Sequence, residues 1–240
     1  ETSKSFLTSK RTYYHLCMLE AFMKIAGIEY ERNFPLSSKG VKMAINDNIK
    51  LALFNNRVFL DVANARSRLG YIPFRKNSDI DFKAFNPLVA IINSGSSYRV
   101  FHGNRRLTRL YPEYLDYDFS IDSVTMQIDG HEKRISFGQI VDVDDSFLVV
   151  PEKDYRVNVI GFKKRGIVNE SGICICRNDI QKRFSVDKKG RIYRIEVYRE
   201  KKFSGMILVN FTKSSGQLNS KELKVSMAKP NNLQKVTKVK

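Results

Sequence analysis

An Asp-Gly pair between two alternating runs, Val124-Thr125-Met126-Gln127-Ile128 and residues 131–137, constrains this chain more than any other stretch. Alternation of apolar and polar residues sends one set of side chains to each face of a strand. Asp129-Gly130 supplies the two left-handed residues that a two-residue type I′ turn needs. The segment therefore reads as a β-hairpin. Strict alternation also runs through residues 116–122, and further short strands are read at 139–143, 147–150, 155–162, 172–176, 184–186, 191–198 and 206–211. Roughly eight to ten short strands at near-regular spacing predict an antiparallel barrel or sandwich over residues 96–212.

Before residue 96 the period is that of a helix. Tyr14, Cys17, Met18, Ala21, Phe22 and Ile25 recur at helical spacing, with Ser9 as N-cap and Gly27 as stop, which predicts a helix over 10–26. Val41, Ile45, Ile49, Ala52 and Leu53 form one face of a second helix reaching residue 54, capped by Ser37 or Ser38. Residues 57–60 read as a short strand and 61–69 as a third helix ending at Gly70. Asn86-Pro87 opens a further short helix ending near Gly95. The predicted fold class is α+β: a helical N-terminal part (1–95), an antiparallel β barrel or sandwich (96–212) and a basic extended C-terminal tail (213–240). Helices and strands that segregate along the chain argue against a doubly wound α/β sheet. The tail carries seven lysines against Glu222 and no aromatic residue, too little apolar surface to order itself.

Composition matters mainly through charge. A hydrophobic fraction of 42% excludes wholesale disorder, but a net charge of +17 is large for 240 residues. The surplus is +14 in residues 161–240 and +6 in residues 1–96, whereas residues 97–160 carry −3. Such asymmetry points to an anionic partner rather than to uniform solubilisation. Cys17, Cys174 and Cys176 are odd in number and lack zinc spacing, so buried free thiols and an intracellular setting are expected. No run of 18 apolar residues is present, so no transmembrane segment is expected. The start at Glu1 without Met suggests a processed product.

The surplus concentrates between residues 177 and 202, where ten Lys or Arg face four acids. Asp187-Lys188-Lys189-Gly190 reads as a tight turn leading into a strand over 191–199, giving a hairpin with a cationic face. The residues predicted to bind nucleic acid are Lys163, Lys164, Arg165, Lys182, Arg183, Lys188, Lys189, Arg191, Arg194, Lys201 and Lys202, with the tail lysines beside them. Arginine suits phosphate through its planar donor fork, and aromatics such as Tyr193, Tyr198, Phe184 and Phe203 among the charges would stack unpaired bases. RNA or single strands are favoured, because the feature is a β surface rather than a recognition helix. The expectation is a non-catalytic component of a nucleoprotein assembly, with nucleic acid and other protein subunits as partners and no cofactor.

Other constellations imply other classes. Asp116, Asp118 and Asp122 share one strand face, and Asp142, Asp144, Asp145, Glu152 and Asp154 follow; paired acids can hold Mg²⁺ for phosphodiester cleavage, so a metal-dependent nuclease is the alternative. The helix pair with its Arg-bearing connection fits a helix-turn-helix as well as a packing-only subdomain. Tyr98-Arg99-Val100-Phe101-His102-Gly103 resembles the first-strand His-Gly of ADP-ribosyltransferases of the diphtheria-toxin class. That resemblance implies that His102 and Gly103 seat a nicotinamide cofactor, with Glu196 as candidate glutamate. A protein-binding subunit is a further class. No P-loop or GxGxxG is present.

Overall fold

The computed structural model describes residues 6–46, 49–164 and 166–212. Arg165 and the predicted basic tail lie outside the described residues. Two helices come first, α1 (Thr8–Ile25) and α2 (Ser38–Asn46). They are followed by β1 (Lys50–Leu53), β2 (Val58–Asp61), β3 (Leu69–Arg75), β4 (Phe82–Ala84), β5 (Val89–Asn93), β6 (Tyr98–His102) and β7 (Arg105–Leu115). Then come β8 (Ser123–Ile128), β9 (His131–Ser136), β10 (Ile140–Val143), β11 (Ser146–Val149), β12 (Tyr155–Val159), β13 (Ile175–Cys176), β14 (Ile192–Arg199) and β15 (Lys202–Phe211).

These strands form four open sheets, ordered β2-β1-β4, β3-β7-β6-β5, β13-β11-β8-β9 and β10-β15-β14-β12. Pairing is antiparallel except for β3 with β7 and β10 with β15, which are parallel. The β8–β9 hairpin turns at Asp129 (φ 49°) and Gly130 (φ 84°), the two left-handed residues its spacing requires.

The hairpin β14–β15 is the wall that two hydrophobic cores share. Residues 192–198 are all buried, because successive side chains enter opposite cores. Ile192, Tyr198, Phe203, Met206 and Leu208 join Leu51, Leu60, Phe74 and Leu110 in the first core. Tyr193, Ile195, Val197, Ile207, Val209 and Phe211 join Met126, Phe147 and Val159 in the second. Phe203, with no exposed surface, packs edge-on against Tyr117 and Tyr198. Full burial of one such side chain stabilises the fold by about 1.5–3 kcal/mol.

The predicted architecture needs correction. Among the described residues the protein is mostly β-sheet with two short helices, and strands begin at Lys50 rather than at residue 96. The second helix ends at Asn46, and Leu51, Ala52 and Leu53 lie in β1. A fully buried apolar run has no period of two, so Leu51-Ala52-Leu53-Phe54 cannot be told from a helix face by periodicity. Phe54, Asn55 and Asn56 at positive φ turn the chain into β2. The third helix and the Pro87 helix are replaced by turns leading into β3 and β5. No barrel closes among the described residues: each sheet remains open. The hairpin centred on Asp187 is also corrected, since β14 pairs with β15 and β12, and residues 182–184 form a 3₁₀ turn.

In the N-terminal part α1 packs against α2 and buries none of its residues. Met18, Phe22 and Ile25, at 53%, 61% and 83% exposure, make one face at helical spacing. Cys174 and Cys176 are exposed rather than buried as predicted, and Cys17 is half-buried.

Candidate functional site

Two charged residues interrupt the apolar run of β14. Arg194 and Glu196 are two apart and share one face, only 6% and 2% exposed. Burying either charge alone is costly, so each is held by partners. Arg194 donates through Nη1 to the Tyr71 carbonyl and through Nη2 to that of Gly70, both at 3.1 Å. Those carbonyls lie where β3 slips register against β7, between Leu69 and Ile72, with Tyr71 at φ 52°. Glu196 Oε1 sits 3.5 Å from Arg194 Nη1, and Oε2 accepts a 2.7 Å hydrogen bond from the Tyr198 hydroxyl. Glu196 Oε1 accepts no hydrogen bond among the described residues. Burial pushes the Glu196 carboxyl above the usual range, against the pull of Arg194 and Tyr198, and Glu113 adds a smaller upward push. Burial and the same carboxylate push the Tyr198 phenol up.

These residues floor a cleft of about 720 Å³ between the β3–β7 edge and β14–β12, closed on a third side by residues 183–186. The loop is fixed by Arg66, whose Nε donates to the Ser185 carbonyl at 2.9 Å and whose Nη2 donates to Lys182 O at 2.7 Å. Thr108 returns a 2.7 Å bond to the Arg66 carbonyl. Arg156, opposite Tyr198 in the β12–β14 register, stands 4.6 Å from the centre of that ring. Arg68 and Arg183 are exposed at the rim, with Arg183 4.9 Å from the Phe184 ring centre. Glu113, Glu200 and Lys201 complete the charged lining. Six cations against three carboxylates make the cleft electropositive yet amphoteric.

The residues predicted to bind nucleic acid do not form one surface with one role. Arg194 is buried and tied to β3, while Arg183 and Lys201 line the cleft. Lys188 and Lys189 are exposed on the Asp187 turn. Arg191 is half-buried, with its Nε buried and unbonded. Lys182 is exposed, and its stem packs over Gly190. Lys163 donates to the Asn178 carbonyl on a separate loop with Lys164, and Lys202 is exposed where β15 begins. Tyr193 and Phe203 are core residues rather than stacking platforms.

The carboxylates predicted to hold Mg²⁺ also separate. Asp118 is buried and accepts from Ser120 (2.6 Å) and Ser204 (3.1 Å), whereas Asp116 pairs with Lys76 and Asp122 with Ser123. Burial raises the Asp118 pKa, but the hydrogen bonds outweigh it and the net shift is downward. His102 lies in β6 and Glu196 in β14, strands of different sheets. Sequence reasoning missed Glu113 and Arg156 at the cleft and set Arg66 and Arg68 on a helix. The available signal was Arg194-x-Glu196 inside an otherwise apolar strand, where opposite charges two apart must share one face.

Residues 117–212 match a family described as the C-terminal domain of metallo-carboxypeptidase. The apo crystal structure of the cell shape determinant protein Csd4 from Helicobacter pylori is similar, at 35% identity and a TM-score of 0.70, over 88% of this chain and 51% of that one. Tripeptide-bound Csd4 from Helicobacter pylori is 36% identical over 88% of this chain and 51% of its own, with a TM-score of 0.69. The mDAP-bound form, described as a D,L-carboxypeptidase, is 34% identical over 88% and 52%, with a TM-score of 0.70. A search of curated protein sequences found no match. The chain spans about half the length of the structures it resembles.

These similarities overturn nucleic-acid binding and the nucleoprotein partners, along with the nuclease and toxin-like alternatives. A metallo-carboxypeptidase implies a metal ion, and the donor set tests whether one fits here. Among the described residues no group of three or more His, Cys, Asp or Glu is placed to hold a metal. His15, His102 and His131 lie on α1, β6 and β9. The described residues therefore do not fit a metal centre; what they share with Csd4 is a fold and about a third of their sequence.

Proposed function

We propose that this chain is the β-sheet part of a metallo-carboxypeptidase of the D,L kind, acting on the peptides of peptidoglycan. Similarity to Csd4 at 35% identity over 88% of the chain carries the reading. Metal-assisted hydrolysis would be carried by a peptidase domain, and the described residues would contribute binding and positioning. The apolar face of α1 supports this division. Met18, Phe22 and Ile25 are exposed on one face of the helix, and a peptidase domain would cover them. Work on peptidoglycan would place the protein at the cell wall rather than in the intracellular setting predicted from its cysteines.

Association with a metal-loaded carboxypeptidase domain, followed by sedimentation, tests the proposal. Complex formation that is lost in Phe22→Ser and Ile25→Ser is expected. A chain that stays apart from such a domain, whatever the variant, would overturn it.

A further inference from the structure

We propose that the cleft between β3–β7 and β14–β12 binds a small peptide carrying at least two carboxylates and a free amine. The choice of peptide rests on the carboxypeptidase reading, whereas the location rests on the cleft alone. Its volume of about 720 Å³ is that of a site for a molecule of a few residues. Arg66 and Arg194 are spent on backbone carbonyls. Arg68, Arg156 and Arg183 make no hydrogen bond or ion pair among the described residues, so their donor forks are available. A guanidinium pairs with a carboxylate through two parallel hydrogen bonds, and arginines on different walls suit carboxylates at different points of one ligand.

The acids decide the ligand class. Inorganic phosphate offers no cation to Glu113 or Glu200 and no N–H to the unbonded Oε1 of buried Glu196. An amino-acid-like ligand offers both. The ammonium or amide N–H would donate to Glu196 Oε1, and its carboxylates would take the arginines. That oxygen, 3.5 Å from Arg194 Nη1 but without a hydrogen bond, then gains the donor that buried polar atoms normally find.

Calorimetric titration of the full chain with meso-diaminopimelate, an mDAP-bearing tripeptide, succinate and inorganic phosphate tests the inference. Saturable binding of mDAP or the tripeptide, tighter than succinate or phosphate, is expected. Arg68→Ala and Arg183→Ala, both at exposed positions, should keep the wild-type Tm and each weaken binding about tenfold, or about 1.4 kcal/mol. Glu196→Gln should weaken the amine-bearing ligands more than succinate. Absence of saturable binding, unchanged affinity in both arginine variants, or phosphate binding as tightly as the peptide would each overturn the inference. The peptidase-association result stands apart: complex formation without ligand binding removes this inference and leaves the proposed function.

Discussion

Asp187 gives the sharpest structural prediction. Its side chain is 2% exposed and closes the turn before β14. Oδ1 accepts from the backbone N–H of Arg191 at 2.7 Å and of Ile192 at 2.8 Å, and Oδ2 from that of Lys189 at 3.0 Å. Asp187→Ala leaves three donors without their acceptor. The donor on buried Ile192 cannot turn to water and costs about 2–3 kcal/mol. The Arg191 donor, half-buried, costs about 1 kcal/mol, and that of exposed Lys189 is rehydrated almost freely. The total is about 3–4 kcal/mol, which for a chain of this size lowers Tm by roughly 2–4 °C per kcal/mol, or about 6–16 °C. Thermal unfolding followed by circular dichroism reads this directly. Lys188→Ala and Lys189→Ala, on the exposed side of the same turn, should stay within about 0.5 kcal/mol of wild type. A fall of under about 2 °C for Asp187→Ala, or one matched by the lysine variants, would refute the reasoning.

Glu196 sets a pH dependence. Burial, opposed by Arg194 and Tyr198, raises its carboxyl pKa in the folded state. A raised group contributes stability that is fully present below its unfolded value and lost as pH rises through its folded value. Glu196→Gln should therefore gain in Tm on wild type as pH climbs from about 4 upward, and a gap that stays constant or shrinks would contradict this. Gly205 admits no side chain: a Cβ there would lie 2.3 Å from the Phe137 ring. Gly205→Ala should cost about 1–3 kcal/mol in urea unfolding, and a neutral effect would show that the ring moves freely. Truncating fully buried Phe203 to Ala should cost about 3–5 kcal/mol by the same measurement, and less than about 1 kcal/mol would mean that the junction of the two cores is misassigned.

The sequence was legible where its pattern was local. Asp129-Gly130 between alternating runs marked β8–β9, and the period of two marked strands on either side. Legibility failed at β1, because Leu51-Ala52-Leu53 shows no alternation when both faces are covered and follows directly on a helical pattern. It failed again at Asp187-Lys188-Lys189-Gly190. The turn chemistry was real, but the carboxylate serves the backbone that enters β14, and the hairpin forms one strand later. The cationic residues were visible as composition, yet composition does not say which charges are spent. Arg66 and Arg194 hold backbone, while Arg68 and Arg183 face solvent at the cleft. The cleft itself joins residues about 130 positions apart through the parallel pairing of β3 with β7 and its packing on β14, and no local pattern encodes such a meeting.

In the proposed division of labour, this chain binds and positions a peptide for metal-dependent chemistry carried by a peptidase domain. Release of the C-terminal residue from an mDAP-bearing tripeptide should be measured for the chain alone, for a metal-loaded peptidase domain alone and for the two together. No release by the chain alone, and a rate for the pair above that of the domain alone, are expected. Metal-dependent release by the chain alone, or a rate for the pair equal to that of the domain, would contradict it.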